Sequence, residues 1–291
     1  MITSIEIVNI ILDSFTIGSA AVAILISISM ISIMLFYKLS IKIDRTIHLL
    51  SINMYVSLFI GCAIILDIYC YTLYGHLHGN ISFDGQWCYI KAYLFHVSSC
   101  AFFYSYLLQA VYRLCRIVFY RKPSLQSFKL YIYGIIIQWI LSFLQVIPLI
   151  LLKTFQYLPD DYHCLVATHN IRGLLIILSF VHMIPVTLTT TCYIYTMMYI
   201  RKCSKTVKPI RQLANNRRDF IVLTRIFILL GINILSSIPT IIISLCYQFS
   251  EYLPCWLTQF QWFTATFSLC CVSFVLIYVS PNLRKLWKRL L

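Results

Sequence analysis

The sequence predicts an all-α membrane protein whose seven transmembrane helices form one bundle. Two observations predict this fold class. Of the 291 residues, 60% are hydrophobic and only 11% are charged, and the mean hydropathy is +0.85. A soluble globular domain is excluded because such domains carry about 25% charged residues. In addition, seven long apolar runs follow one another along the chain, and each is long enough to cross a bilayer, which takes about 20 residues.

The seven spans are placed on the apolar runs between charged or turn residues. A single segment that crosses the hydrocarbon core has to be helical, because unpaired backbone groups are costly there. The chain then divides into an N-terminal segment over residues 1–14, a seven-helix domain over 15–280 and a tail over 281–291. The predicted spans are 15–37, 47–74, 87–120, 130–152, 174–200, 220–247 and 256–280.

The basic residues predict the orientation in the membrane. The chain has 23 Lys and Arg against 9 Asp and Glu, and most of the basic residues fall in 38–45, 113–129, 201–225 and the tail. Loops rich in Lys and Arg remain in the cytoplasm. We therefore expect a multi-pass protein of the plasma membrane with its N-terminus outside and its C-terminus inside. Topology explains the net charge of +14, and no nucleic-acid partner is expected.

The tail has the period of a short amphipathic helix. Its sequence, NLRKLWKRLL, places Leu283, Leu286 and Trp287 on one face. Basic residues lie on the opposite face, which suits an anionic lipid surface. We expect an eighth helix on the inner surface of the membrane, with lipid as its partner.

Several residues stand at spacings that resemble the rhodopsin-like (class A) family of G-protein-coupled receptors. Cys88 opens the third span and Cys164 lies between the fourth and fifth spans. Arg113 follows Cys88 by 25 residues, at the opposite end of the same helix. The resemblance covers the whole chain and suggests an orphan receptor of invertebrate type. Further residues at family-typical places are Trp139, Pro148, Pro185, Tyr193 and Pro239.

The match is divergent, and several family motifs are altered. Arg113 takes the arginine place of the Asp/Glu-Arg-Tyr motif, with Tyr112 before it and Leu114 after it. An alternative register gives that place to Arg116, which fits the family's distance to a loop proline. Leu58 stands where the family has a sodium-coordinating Asp. In the sixth span Ser237 stands where a Trp is common, and the Asn-Pro-x-x-Tyr signature survives only as its tyrosine.

The resemblance implies a disulfide and a conformational switch. Cys88 and Cys164 both face the oxidising side of the membrane, where a disulfide persists. Asp219 stands twenty residues before Pro239 and would pair with Arg113 until the sixth helix moves outward. The switch residues that the resemblance implies are Arg113, Asp219, Tyr193, Tyr278 and Pro239, and the implied partners are an extracellular ligand and a heterotrimeric G protein.

Polar and aromatic residues in the outer halves of the spans are the candidate ligand contacts. An ionisable residue inside a span is costly and usually has a partner or a function, which singles out Asp67. Lys91 could pair with it for purely structural reasons, and both roles remain open. For the two histidines among them, hydrogen-bonded packing between helices is the favoured role. The full set of candidates is Asp67, Lys91, Phe95, His96, Ser99, His182, Gln259 and Gln261.

Two substitutions narrow the expected ligand. The third span has Phe95 where receptors for biogenic amines hold the ammonium group with an Asp. The seventh span has no Lys, so a retinal Schiff base cannot form. We expect a peptide or a small non-amine ligand, with no cofactor.

Other motifs point to loops or exclude other classes. Asn80-Ile81-Ser82 is a glycosylation acceptor in the first outer loop, where His76 and His78 are also expected to be solvated. A phosphate-binding glycine loop, a Cys-x-x-Cys pair and a His-Glu-x-x-His motif are all missing from the sequence, so we do not expect an enzyme. The alternatives are a seven-helix chemosensory receptor of another lineage and a transporter or channel, although no internal repeat favours the latter.

Overall fold

The computed structural model describes residues 4–36, 45–79, 81–166, 170–204 and 255–279, with short helical stretches between 228 and 247. Within them, six helical runs are long and apolar enough to cross a membrane. The predicted sixth span, 220–247, lies mostly outside the described residues. The six runs are α1 (Ser4–Phe36), α2 (Arg45–His78), α3 (Gln86–Ile117), α4 (Phe128–Leu151), a fifth run made of α5 (Ile171–Ile176), a π-helical segment (Ile177–Met183) and α6 (Ile184–Ser204), and α7 (Cys255–Val279).

The helices pack into one bundle with α3 in a central position. α1 packs against α2 and α7, and α3 packs against α2, α4 and α6. Buried residues recur every third or fourth position, which places them on one face of each helix. The largest buried cluster contains Met30 and Met34 of α1, Met54 and Leu58 of α2, Phe102 and Tyr106 of α3, Tyr193 of α6, and Val272 and Leu276 of α7.

The first helix begins at Ser4 rather than at residue 15 as predicted from hydropathy. Asn9 and Asp13 are buried on the same face of α1 as Thr16 and Ala20. Hydropathy alone treats such polar residues as part of a solvated terminus. Their spacing shows instead that they continue the inner face of the helix.

A proline explains the irregular fifth run. Pro185 cannot donate a backbone hydrogen bond, and its ring crowds the carbonyl four residues earlier. The wider π-helical turns of Ile177–Met183 lie directly before it. Such turns are frequent at functional sites. Here the π-helical segment carries His182, whose ring packs edge-on against Phe103 of α3 at 4.8 Å between centroids.

A buried hydrogen-bond network joins α2, α3 and α4. Asn53 Nδ2 donates to Ser105 Oγ and to Gln138 Oε1, both at 3.0 Å. Trp139 Nε1 donates to Asn53 Oδ1 at 3.0 Å. Gln138 Nε2 donates to Ser105 Oγ at 2.8 Å and to the Ala101 carbonyl at 2.7 Å. Because every partner is on another helix, the network fixes the relative positions of the three helices.

Replacing Asn53 with Ala should destabilise the bundle. The change leaves Gln138 Oε1 and the indole N–H of Trp139 without partners in an apolar interior. We expect a loss of about 3 kcal/mol in the free energy of unfolding, since each unsatisfied buried group costs about 1–3 kcal/mol. Thermal unfolding of the purified protein in detergent measures it.

Ser29→Ala is the matched control, because Ser29 is exposed and its hydroxyl bonds to the Leu25 carbonyl of its own helix. It should unfold at nearly the wild-type temperature. Equal melting temperatures for the Asn53→Ala and Ser29→Ala variants would show that the network contributes no net stability.

Candidate functional site

A β-hairpin closes one end of the bundle, called the hairpin end below. Its strands, β1 (Phe155–Leu158) and β2 (His163–Val166), are antiparallel. A disulfide joins Cys88 at the start of α3 to Cys164 of β2, with 5.5 Å between the Cα atoms, and this confirms the predicted bond. Phe155 is buried and its ring stacks on His96 at 5.7 Å. The hairpin therefore inserts between the helices instead of lying over them.

The turn of the hairpin is fitted against α2. Tyr162 has a positive φ of 55°, and its ring lies directly over Gly75. A Cβ atom at position 75 would overlap the base of that ring. Only glycine at position 75 allows the turn to approach α2 this closely.

Next to this turn, α1 and α2 carry a buried ion pair. His76 Nδ1 is 2.6 Å from Asp13 Oδ2, and the Asp13 side chain is completely buried. The other ring nitrogen of His76 lies 3.2 Å from the Asp160 carbonyl in the hairpin turn. The expectation that His76 is solvated in a loop is therefore wrong. His76 belongs to the last turns of α2. Its partner, Asp13, belongs to α1, which begins earlier in the structure than hydropathy predicts.

Asp161 is the most enclosed residue of the turn, with 7% of its surface exposed. Its Oδ1 accepts a hydrogen bond from Gln259 Nε2 of α7 at 2.9 Å. Its carbonyl accepts bonds from Thr72 Oγ1 at 3.0 Å and from His163 Nδ1 at 2.7 Å. The hairpin is therefore tied to α2 and α7 by polar contacts, and to α3 by the disulfide.

Burial shifts the pKa of two groups on the hairpin, Asp161 and His163. It raises the pKa of Asp161 to about 7, since a buried carboxylate loses its hydration. It lowers the pKa of His163 to about 4, since the charged imidazolium is disfavoured in the same way. At neutral pH His163 is neutral, and Asp161 is close to its titration midpoint.

Aromatic side chains line the interior next to the hairpin. The ring of Trp262 in α7 lies 5.1 Å from Phe95, 6.3 Å from Tyr69 and 6.4 Å from His163. Phe95 and Trp262 also pack against the buried residues of the hairpin. His96 has an Nε2 atom with no hydrogen-bond partner among the described residues. This arrangement combines apolar walls with polar atoms that a ligand could satisfy.

The predicted ligand contacts do not all lie in one place. Phe95, His96 and Gln259 lie beside the hairpin, and His182 lies deeper, against Phe103. Asp67 and Lys91 instead form an ion pair between α2 and α3, with 3.0 Å between Nζ and Oδ2. The Asp67 side chain is 48% exposed, and this outward position favours the structural role. Ser99 and Gln261 are half-buried.

The opposite end of the bundle, called the basic end, holds the predicted switch residues. Arg113 is half-buried in α3. It follows Tyr106 and Ala110 on the face that packs against Tyr193 of α6, and it lies close enough to Tyr193 to interact electrostatically. Tyr193 is completely buried, and its hydroxyl has no hydrogen-bond partner among the described residues.

Arg116 lies on a different face of α3, one turn from Tyr112. Tyr112 packs edge-on against Tyr131 of α4 at 5.0 Å between ring centroids. Arg116 therefore belongs to the side of α3 that faces α2 and α4. Of the two registers, this arrangement favours Arg113 as the residue directed toward α6.

The remaining predicted residues lie wholly or partly outside the part of the chain that the structure describes. Asp219, Asn80, Ser237 and the tail 281–291 lie outside the described residues. Tyr278 belongs to α7, but its side chain is outside the described part. Pro239 is half-buried in a helical stretch over 238–243. Within the described ranges, no group of three His, Cys, Asp or Glu side chains is arranged to hold a metal ion.

Known receptors resemble this chain in sequence and fold. The melatonin receptor type 1A of Phodopus sungorus is 24% identical over 212 residues, which is 70% of this chain and 60% of that receptor. The type 1A receptor of Gallus gallus is 22% identical over 255 residues, covering 82% of this chain and 70% of that receptor. The crystal structure of squid rhodopsin superposes on 98% of this chain and 84% of its own, with a TM-score of 0.73 and 14% identity. No family model matches the sequence.

These similarities support a divergent rhodopsin-like G-protein-coupled receptor. The superposition on squid rhodopsin confirms the predicted seven-helix fold, and the described helices agree with a multi-pass protein of the plasma membrane. The chain spans 60% of the length of the Phodopus sungorus relative.

Sequence reasoning missed most of the polar cluster that holds the hairpin of this receptor. Asp13, Thr72, Asp161 and His163 were not selected because each lies in an apolar run or a loop without a recognisable motif. One signal was available, since Asn9, Asp13 and Thr16 share a helical face. The partners across the cluster are 63 to 98 residues apart in the sequence, so local patterns cannot reveal them.

Gly75→Ala should loosen the hairpin of the receptor. The added methyl group overlaps the Tyr162 ring, and the turn has to move away from α2. We expect a loss of about 2 kcal/mol in the free energy of unfolding, a usual cost of overpacking, measured as a lower melting temperature.

Gly18→Ala in α1 provides the control, because an added Cβ there meets no atom within 4 Å. Its melting temperature should be unchanged or slightly higher, as alanine favours the helix. A Gly75→Ala variant that melts at the same temperature as Gly18→Ala would refute the tight fit of the turn.

Proposed function

We propose that the receptor binds an extracellular ligand beside its hairpin and activates a heterotrimeric G protein at its basic end. The observation that carries the proposal is the course of α3. One end of this helix presents Phe95 and His96 to the interior beside the hairpin, and the other end holds Arg113 next to Tyr193. At 1.5 Å per residue, His96 and Arg113 are about 25 Å apart along one rigid element. A ligand and a partner protein can therefore act on the same helix.

The hairpin end is proposed to be extracellular. The Cys88–Cys164 disulfide supports this, because disulfides form and persist on the oxidising side. The basic residues at the opposite ends of the helices, such as Arg201 and Lys202 of α6, favour the cytoplasm for that side. On this orientation the tail 281–291 would lie on the inner membrane surface, and Asn80 would be available for glycosylation.

The ligand is proposed to be a peptide or a small non-amine molecule. Phe95 and Trp262 offer aromatic faces, and His96 offers an unpaired ring nitrogen. Such a lining suits a neutral ligand with an aromatic group and a hydrogen-bond donor. The relatives are melatonin receptors, so melatonin is the first compound to test.

The switch is proposed to centre on Arg113. In the resting receptor Asp219 would pair with this arginine, and the pair would hold the sixth helix against α3. Movement of the sixth helix would break the pair and open a groove for the G protein. The buried Tyr193 hydroxyl could then accept a hydrogen bond from the freed guanidinium group.

Ligand-free G-protein activation in cells tests this proposal. At matched surface expression, Asp219→Ala should raise basal activation several-fold because the latch is lost. Arg113→Ala should reduce activation to the level of untransfected cells because the partner contact is lost.

Arg116→Ala is the matched control, since Arg116 lies on another face of α3 and should leave activation close to wild type. If Arg116→Ala abolishes activation and Arg113→Ala does not, the alternative register holds. If no variant differs from untransfected cells with any major G-protein class, the proposed coupling is refuted.

A further inference from the structure

The contact between Asp161 and Gln259 leaves one buried polar atom without a hydrogen-bond partner among the described residues. Gln259 is completely buried, and its Nε2 donates to Asp161 Oδ1 at 2.9 Å. The other end of the same amide, Oε1, is buried with no hydrogen-bond partner among the described residues. An unpaired buried carbonyl oxygen is unfavourable. The amide oxygen therefore lacks a donor, while the nitrogen of the same amide already bonds to a carboxyl group.

A proton on Asp161 supplies that donor. A carboxylic acid and a carboxamide can form two parallel hydrogen bonds, in which the amide N–H donates to one carboxyl oxygen and the carboxyl O–H donates to the amide oxygen. With Asp161 ionised, only the first of these bonds can form. With Asp161 protonated, both groups are satisfied and the buried charge is removed.

We propose that Asp161 and Gln259 form a proton-binding site that links the hairpin to α7 and responds to the pH of the solution at the hairpin end. The proton comes from the medium through the exposed turn at residues 159 and 160. Binding and release require no other reactant, because the proton leaves to water when the carboxylate forms.

The surrounding charged groups influence the pH range over which this site binds and releases its proton. His76 of α2 stabilises the carboxylate, while Asp160 of the turn and Asp13 of α1 oppose it. Tyr69 of α2 and His163 of β2 also face the site, and Lys91 of α3 acts on His163. Burial is the largest influence and raises the pKa of Asp161 from 3.8 to about 7. The site therefore titrates near neutral pH.

The direction of the pH effect on stability follows from this shift. Between about pH 4 and pH 7 the folded protein holds a proton on Asp161 that the unfolded chain has released. This group therefore stabilises the fold at low pH, and its contribution is lost as the pH rises through about 7. His163 acts in the opposite sense, since its pKa is lowered to about 4. A comparison with a variant that changes only Asp161 separates the two.

The protonated pair would hold the hairpin more firmly. The hairpin already contacts α3 through the disulfide and α2 through Thr72. A second hydrogen bond to α7 adds a link to a helix that lines the interior through Trp262. On the proposed orientation, acidification outside the cell would favour the seated hairpin and slow the passage of a ligand beside it.

Infrared spectroscopy of the purified receptor in lipid nanodiscs tests the site without a ligand or a G protein. The C=O stretch of a protonated carboxyl group is separate from the amide bands. In the wild type this band should be present at about pH 6, lose half of its Asp161 contribution near pH 7 and be weaker at about pH 8. The Asp161→Asn variant should lack this pH-dependent component. The melting temperature is measured in parallel.

Asp161→Asn preserves both hydrogen bonds, because its amide can donate to Gln259 Oε1 and accept from Gln259 Nε2. Its melting temperature should lack the Asp161 part of the wild-type rise between about pH 8 and pH 6. Asp84→Asn is the matched control, since Asp84 is an exposed carboxylate at the same end and should leave both readouts unchanged. Identical pH-dependent spectra for the wild type and Asp161→Asn would overturn the proposal, whatever the outcome of the coupling experiment.

Discussion

The arrangement of the hairpin end depends on how the β1–β2 hairpin is anchored between the helices. Cys164 attaches it covalently to α3, Phe155 stacks on His96, and Asp161 bonds to α2 and α7. Each attachment comes from a different point of a hairpin that is only twelve residues long, over 155–166. The disulfide limits how far the hairpin can move, and the polar contacts determine how deeply it sits. The aromatic interior around Trp262 takes its shape from this arrangement.

Much of the fold could be predicted from the sequence because hydropathy is a local property. In a bilayer, each apolar run has to pair its own backbone groups, so the runs of α2, α3 and α4 become helices at nearly the predicted positions. The disulfide was also predictable, since Cys88 and Cys164 stand at places typical of the resembling family and on the same side of the membrane.

The polar contacts of the site could not be predicted in the same way. Asp13 pairs with His76 across two helices, and Gln259 reaches Asp161 across 98 residues of sequence. Which side chains meet depends on how the helices are rotated and on how deeply the hairpin inserts. Asp67 is a further example. Because a charged residue inside a span is unfavourable, the sequence suggested a place in the interior for it. In the structure, Asp67 instead pairs with Lys91 between α2 and α3, with half of its side chain exposed.

Hydrogen exchange of the hairpin amides tests the seated hairpin most directly. In the purified receptor in lipid nanodiscs, amides of residues 155–166 should exchange slowly, because a buried and anchored segment opens rarely. The exposed loop over residues 119–124 provides the fast reference in the same sample. Slow exchange that becomes fast when Cys88 and Cys164 are both replaced by Ser is the predicted result. Hairpin amides that exchange as fast as this loop in the wild-type receptor would contradict the account.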